Sequence, residues 1–394
     1  MIPFTFATGI ENSSPTIANG RIRRDQMAEC GHYDHWRTDF QLVHQLGLRT
    51  LRYGVPLFRV WLGPGRYDWE FSDQAFAELR RLGIEPVADL CHFGLPDWLA
   101  SFQNPDFPAL FADYAAAFAQ RYPWIRLFTP VNEIFVCARA SALFGWWNEQ
   151  ERSDRSFVTA VKHMARANVL AMHTILEHRP DAIFIQSEST EYFHARTPDA
   201  LALADARNDR RFLSLDLTYG RALDGELRSF AFDNGVSADD IRFFEQHAVC
   251  AGHCILGTDY YSSNEHLVEP DGSRGGAEEL IGYPMIVREY HERYRVPLMY
   301  TETNCDDDPP GTASEWLRRQ WTMLRSLAHF KVPVLGFTWY SLTDQIDWDV
   351  ELREQRGTVN PRGLFDLDRN IRPVGEAYRE LIATWKDHVG GTQR

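Results

Sequence analysis

The sequence predicts an α/β protein: a single (β/α)8 TIM barrel with extended loops over the carboxyl-terminal face, one domain over residues 1–394. Two observations carry that expectation. Short, β-rich apolar runs alternate with longer segments of helical period, the pattern of βα units around a parallel sheet. Eight such runs occur in order, and no linker rich in Gly, Ser or Pro divides them.

The strands are expected at 4–9, 50–54, 85–91, 127–132, 182–188, 255–261, 297–302 and 334–340. Between them, residues 72–83 place Phe76, Leu79 and Leu82 on one helical face behind a Ser72 cap. Residues 108–122 repeat the pattern with Leu110, Tyr114 and Phe118. A longer helix over 156–178 carries Val158, Val161, Ala165, Val169, Met172 and Leu176 and stops before Pro180. Two more outer helices are read over 313–330 and 372–385. Segments 190–238 and 348–363 exceed minimal connections and are expected over the barrel mouth.

The chain has 44% hydrophobic and 24% charged residues, enough apolar material for a large core. Forty-one Lys and Arg face 55 Asp and Glu, and the net charge of -14 repels phosphate. A neutral substrate therefore fits better than nucleic acid, an anionic membrane or a phosphorylated sugar. Cys30, Cys91, Cys137, Cys250, Cys254 and Cys305 are scattered without a metal or disulfide pattern, and His253 between the fourth and fifth of them is read as structural. The start lacks a signal peptide and no apolar run reaches membrane length, so the expectation is a cytoplasmic protein.

In such a barrel, residues at the carboxyl ends of the strands converge on one face. Glu133 ends the fourth strand and Glu302 the seventh. Two carboxylates facing one glycosidic bond can divide the chemistry, one protonating the leaving oxygen and the other attacking the anomeric carbon.

Several motifs fall around them in order. They are HYDHWRTD at 32–39, LRYGVP at 51–56, IEPVADLCHFGLP at 84–96, NE at 132–133, TDYYS at 258–262, TETN at 301–304, SLTDQIDW at 341–348 and RGLFD at 362–366. Taken together they resemble glycoside hydrolase family 1, the β-glucosidase family, along nearly the whole chain. That resemblance implies Glu133 as acid/base and Glu302 as nucleophile, with Arg52 and Tyr261 holding the nucleophile. It implies Asn132 on the sugar 2-hydroxyl, and His92, Glu11, Asp347 and Trp348 on the other hydroxyls. Trp339 or Tyr340 forms the stacking floor, and Trp146 offers a face to the leaving group.

The chain departs from the family at Ile134 (usually Pro), Asp259 (usually Asn) and Asp347 (usually Glu), and residues 7–12 lack the family's Gln-x-Glu-Gly. The implied function is a retaining exo-β-glycosidase, first of all a β-glucosidase, acting on a small-molecule or oligosaccharide β-glycoside with a neutral, partly apolar leaving group. Alternatives are the same mechanism on a galactoside, mannoside or fucoside, a transglycosidase, and a catalytically retired carbohydrate-binding barrel. No metal or organic cofactor is implied.

Overall fold

The computed structural model describes residues 2–99, 101–277 and 279–389. Eight parallel strands close into a barrel: β1 Thr5–Gly9, β2 Thr50–Gly54, β3 Glu85–Asp89, β4 Leu127–Thr129, β5 Ile183–Ser189, β6 Cys254–Asp259, β7 Leu298–Glu302 and β8 Val334–Trp339. Each pairs with its chain neighbours, and β1 closes the ring by pairing with both β2 and β8. All eight expected runs are strands, several of them shorter than read.

Alternation along the strands builds the interior in layers. Ala7, Val87, Leu127, Ile185, Ile255, Met299 and Leu335, from seven strands, form an apolar cluster separate from the core under the helices. Two residues further along five of these strands come Asp89, Thr129, Ser187, Gly257 and Thr301. The interior thus changes from apolar to polar toward the carboxyl ends. Gly257 is required in that layer, because a Cβ there would stand 2.7 Å from the Thr301 hydroxyl and 2.8 Å from Ser187 Cα.

Eight helices cover the sheet: α1 His32–Gln45, α2 Glu70–Leu82, α3 Phe107–Arg121, α4 Asp154–His178, α5 Leu213–Thr218, α6 Tyr283–Tyr294, α7 Thr312–Ser326 and α8 Pro373–Val389. The Ser72 cap is corrected: α2 begins two residues earlier, Ser72 is buried inside it, and Asp68 accepts from the Glu70 amide at 3.0 Å. An acidic side chain just before the first turn satisfies an otherwise orphaned amide, so the helix starts there. For α4, Ser153 accepts from the Ser156 amide at 3.0 Å, and the helix ends before Pro180 as read.

Part of the long 190–238 segment leaves the barrel. Tyr192–Ala195 pairs with Glu265–Val268, which pairs with Arg274–Gly276, and helices Leu201–Arg210 and Gly225–Asp233 follow beside this small sheet. All six cysteines are free, and His253 shares a 2.8 Å hydrogen bond with the Ala182 carbonyl, a structural contact. Among the described residues, no helix is long and apolar enough to cross a membrane.

Candidate active site

The carboxyl ends of the strands open into a cavity of about 350 Å³ lined by Glu133 and Glu302. An oxygen of each of Glu133, Asp259 and Glu302 lies within 4.8 Å of the others. Carboxyls whose oxygens approach this closely fit the compact double-displacement arrangement better than the wider single-displacement one. A register shift in the β6–β7 pairing sets Asp259 opposite Glu302, turning the glutamate toward the axis of the mouth.

Glu302 is gripped from two sides. Arg52 donates from one guanidinium nitrogen to its Oε1, and the Tyr261 hydroxyl donates to Oε2 at 2.7 Å. The other Arg52 nitrogen donates to Asn132 Oδ1 at 2.8 Å. Burial works against the guanidinium charge, but Glu302, Asp259 and Asp89 more than compensate and hold Arg52 protonated. A fixed cation thus already stands at Glu302.

Glu133 has a different environment. It precedes the short helix Ile134–Ala138 with φ +40°, a left-handed conformation that costs a non-glycine residue and is found at sites held by their surroundings. Glu188 supplies that hold: it accepts from the Phe135 amide at 3.2 Å and from the Ser214 hydroxyl at 2.8 Å, and burial pushes its pKa up to about 7. Burial, then the like charges of Asp259, Glu302 and Glu188, push the Glu133 carboxyl well above its ordinary range, against a smaller opposing pull from Arg52. A carboxyl so placed is biased toward its protonated form, which is what a general acid needs. Asp259, buried between the two glutamates, is raised for the same reasons, although Ser187 and Thr301 each donate to it at 2.6 Å.

Other expected residues gather around the cavity. Glu11, His92, Tyr261, Tyr340 and Trp348 line it. His92 binds Asp89 through Nδ1 at 2.7 Å, which leaves Nε2 to accept from Asn132 at 3.3 Å. Burial opposes a charge on His92, yet Asp89 beside it raises its pKa. Asn132 is fully buried behind the wall, tying Arg52 to His92. Trp348 keeps a buried indole N–H without a partner, a donor free for a hydroxyl.

Three expectations are corrected. Trp339 is not the floor: it is fully buried in the outer core, its indole donating to the Arg362 carbonyl at 2.9 Å, and the next residue, Tyr340, faces the cavity. Gly9 opposite makes room, since a Cβ there would meet the Tyr340 ring at 2.3 Å. Asp347 does not line the cavity. It accepts from Arg24 at 2.8 Å and from the amides of Arg356, Gly357 and Thr358 at 2.8, 3.0 and 2.7 Å, so its acceptors are spent on holding the loop. Trp146 lies not in the catalytic cavity but in a neighbouring one.

Residues not singled out from the sequence also contribute. Gln345 donates to Glu11 at 2.8 Å and lines the cavity with Asn304. Gln345 sits inside the 341–348 motif, and Asp89 three residues before His92, so motif neighbours were the available signal. Nothing local in sequence marks Arg139 and Glu191, whose ion pair forms one wall of the cavity.

A closed parallel barrel with two buried carboxylates at this separation, one held by a guanidinium, is the build of a retaining barrel glycosidase. The model of the family described as glycosyl hydrolase family 1 matches residues 15–219, more than half of the chain, and the protein belongs to that family. A 6-phospho-beta-glucosidase of Clostridium longisporum is 22% identical over 408 residues, covering 89% of this chain and 85% of that protein. Beta-glucosidase A of Thermotoga maritima is 24% identical over 372 residues, covering 84% and 81%. A solved structure of Thermotoga maritima beta-glucosidase with deoxynojirimycin superposes with a TM-score of 0.81 at 18% identity, over 97% of this chain and 98% of that one.

Proposed function

We propose that the protein is an exo-acting retaining β-glucosidase in which Glu302 is the nucleophile and Glu133 the acid/base. Glu302 attacks the anomeric carbon as the bond to the leaving oxygen breaks, and Glu133 gives that oxygen its proton. Water then attacks the glycosyl-enzyme, passing a proton to Glu133 and freeing Glu302. The observation that carries this reading is the asymmetry of the pair: a carboxylate gripped by Arg52 and Tyr261 next to one pushed toward its neutral form.

The exo mode is supported by Glu11, His92, Gln345 and Trp348 around one end of the cavity, with Tyr340 as its floor. Hydroxyl-reading groups packed this closely suit a terminal sugar. Asp349 and Glu351 line the same cavity and would repel a phosphate on that sugar, which favours a plain glycoside over a phosphoglycoside. The withdrawal of Asp347 supports a second reading, the same mechanism on a galactoside, mannoside or fucoside, because one expected reader of hydroxyls is engaged elsewhere.

Two measurements on nitrophenyl glycosides decide between these. Comparing kcat/KM for β-glucoside, β-galactoside, β-mannoside and β-fucoside tests the sugar, since a site built to hydrogen-bond hydroxyls discriminates strongly against a misplaced one. The β-glucoside is expected among the best substrates, and a clear preference for another sugar rejects the glucosidase assignment. Proton NMR of the first product tests the stereochemistry: the β anomer is expected, and the α anomer appearing first rules out the retaining mechanism.

A further inference from the structure

A second cavity, of about 550 Å³, lies beside the catalytic one, and Arg139 lines both. Its walls are aromatic, with Phe144, Trp146, Phe193 and Phe230 among them. Its charges are mainly of one kind, with Asp154 as the carboxylate among its lining residues. Arg139, Arg207, Arg210 and Arg274 all line it, in a chain whose net charge is -14.

Two of these arginines are neutralised: Arg139 pairs with Glu191, and Arg210 stands 4.0 Å from Asp154. Among the described residues, neither Arg207 nor Arg274 makes an ion pair. Arg207 donates from Nη2 to the Gly272 carbonyl at 2.6 Å, while its Nη1 is buried without any partner. Arg274 lies over the Phe144 ring at 5.1 Å from the centroid, and Arg207 over Phe193 at 6.0 Å. Burial and the neighbouring Arg139 push the Arg274 pKa down to about 10, against an opposing pull from Glu191 and Glu351, and burial with Arg210 and Arg139 lowers that of Arg207. Cations held against apolar walls without a paired carboxylate are costly, and a planar oxyanion is their natural partner.

We infer that this cavity binds an amphipathic anion, a flat aromatic group carrying a carboxylate, with the ring against the aromatic wall and the carboxylate on Arg207 and Arg274. Two sources share this chemistry: the leaving group of the glycoside itself, or a separate ligand bound beside the reacting sugar. The first rests on the glycosidase reading above; the second does not. In the first case the neutral leaving-group side expected from the sequence is replaced by a cationic one.

The test is calorimetric titration of the whole protein with 2-naphthoate and with its neutral counterpart 2-naphthamide, in the wild type and in Arg207→Met and Arg274→Met. The acid is expected to bind at least about tenfold tighter than the amide, and each substitution to reduce that ratio to about threefold or less, because charge-assisted hydrogen bonds are lost. Equal binding of acid and amide, no binding of either, or an unchanged ratio in both variants overturns the inference. Two separate variants keep it testable should one of them fail to fold. Inhibition of a neutral aryl β-glucoside then separates the sources: competitive inhibition by naphthoate assigns the leaving-group position, and non-competitive inhibition a separate ligand. Because binding is read without sugar or turnover, its failure leaves the glycosidase reading standing, and a failed glycosidase reading leaves the titration informative.

Discussion

The two cavities either side of the Arg139–Glu191 pair are built on opposite principles. The catalytic one gathers acids, Glu11, Glu133, Glu302, Asp349 and Glu351, and satisfies Glu302 with a cation and a hydroxyl. The neighbouring one gathers arginines against aromatic rings and leaves two of them without an ion pair among the described residues. The lesson is that burial acts on both signs of charge alike, and what differs is whether the fold supplies the counter-charge. In the catalytic cavity it supplies the counter-charge at Glu302 and withholds it at Glu133, the asymmetry on which the proposed roles of nucleophile and acid rest. In the second it leaves the counter-charge to an incoming molecule.

Breaking the supplied pairing produces the largest effect. Glu302→Gly is expected to cost on the order of 10⁴-fold or more in kcat, since no other group attacks the anomeric carbon, and residual activity within about tenfold of wild type contradicts its role. Glu133→Ala is expected to cost about 10² to 10⁴-fold on alkyl glycosides and much less on activated aryl glycosides, which need little protonation. Equal losses on both substrate types remove Glu133 from the acid role.

Smaller changes sharpen the electrostatic contrast through the basic limb of the kcat/KM profile, which reports loss of the proton from the acid. Like charge raises the Glu133 pKa and Arg52 lowers it. Asp259→Asn, which removes an anion, is therefore expected to move the basic limb to lower pH, and Arg52→Met, which removes the cation, to move it to higher pH. The signs are opposite. An unmoved limb in Asp259→Asn means that Asp259 is itself neutral in the working enzyme and contributes no charge to its neighbour.

Asp347 gives the smallest effect on chemistry and a distinct one on stability. With Asp347 and Arg24 both fully buried, Asp347→Ala leaves Arg24 to Glu29 and strips the Arg356, Gly357 and Thr358 amides of their acceptor, and is expected to destabilise the fold by about 1 to 3 kcal/mol in urea unfolding. The order of sugar preference should be unchanged. A shifted preference at unchanged stability returns Asp347 to the sugar.

The barrel was legible because its signal is periodic and repeated: eight β-rich runs between helical segments survive an error of a few residues at each end. The meeting of Glu133 and Glu302 was legible for the same reason, since strand order dictates which ends meet, while Arg52 and Tyr261 beside them followed from the family resemblance. What escaped depended on facing rather than on order. Trp339 and Tyr340 are adjacent, and a one-residue step on a strand decides between outer core and cavity. Asp347 occupies a motif position but lies beside Arg24, more than three hundred residues away in the chain, which no local pattern reveals. The arginine-lined cavity draws on segments around residues 139, 207 and 274 that carry no shared spacing, so only their meeting in space exposes it.

The central claim is that Glu302 forms the covalent bond and Glu133 does not. Incubation with 2-deoxy-2-fluoro-β-glucosyl fluoride, followed by mass spectrometry of the intact chain and of its peptides, tests it directly, because the fluorine slows release of the glycosyl-enzyme more than its formation. The account predicts one deoxyfluoroglucosyl group per chain, on the peptide that contains Glu302, and activity that recovers as the group is released. An adduct on Glu133, or substrate turnover with no adduct on either glutamate, contradicts it.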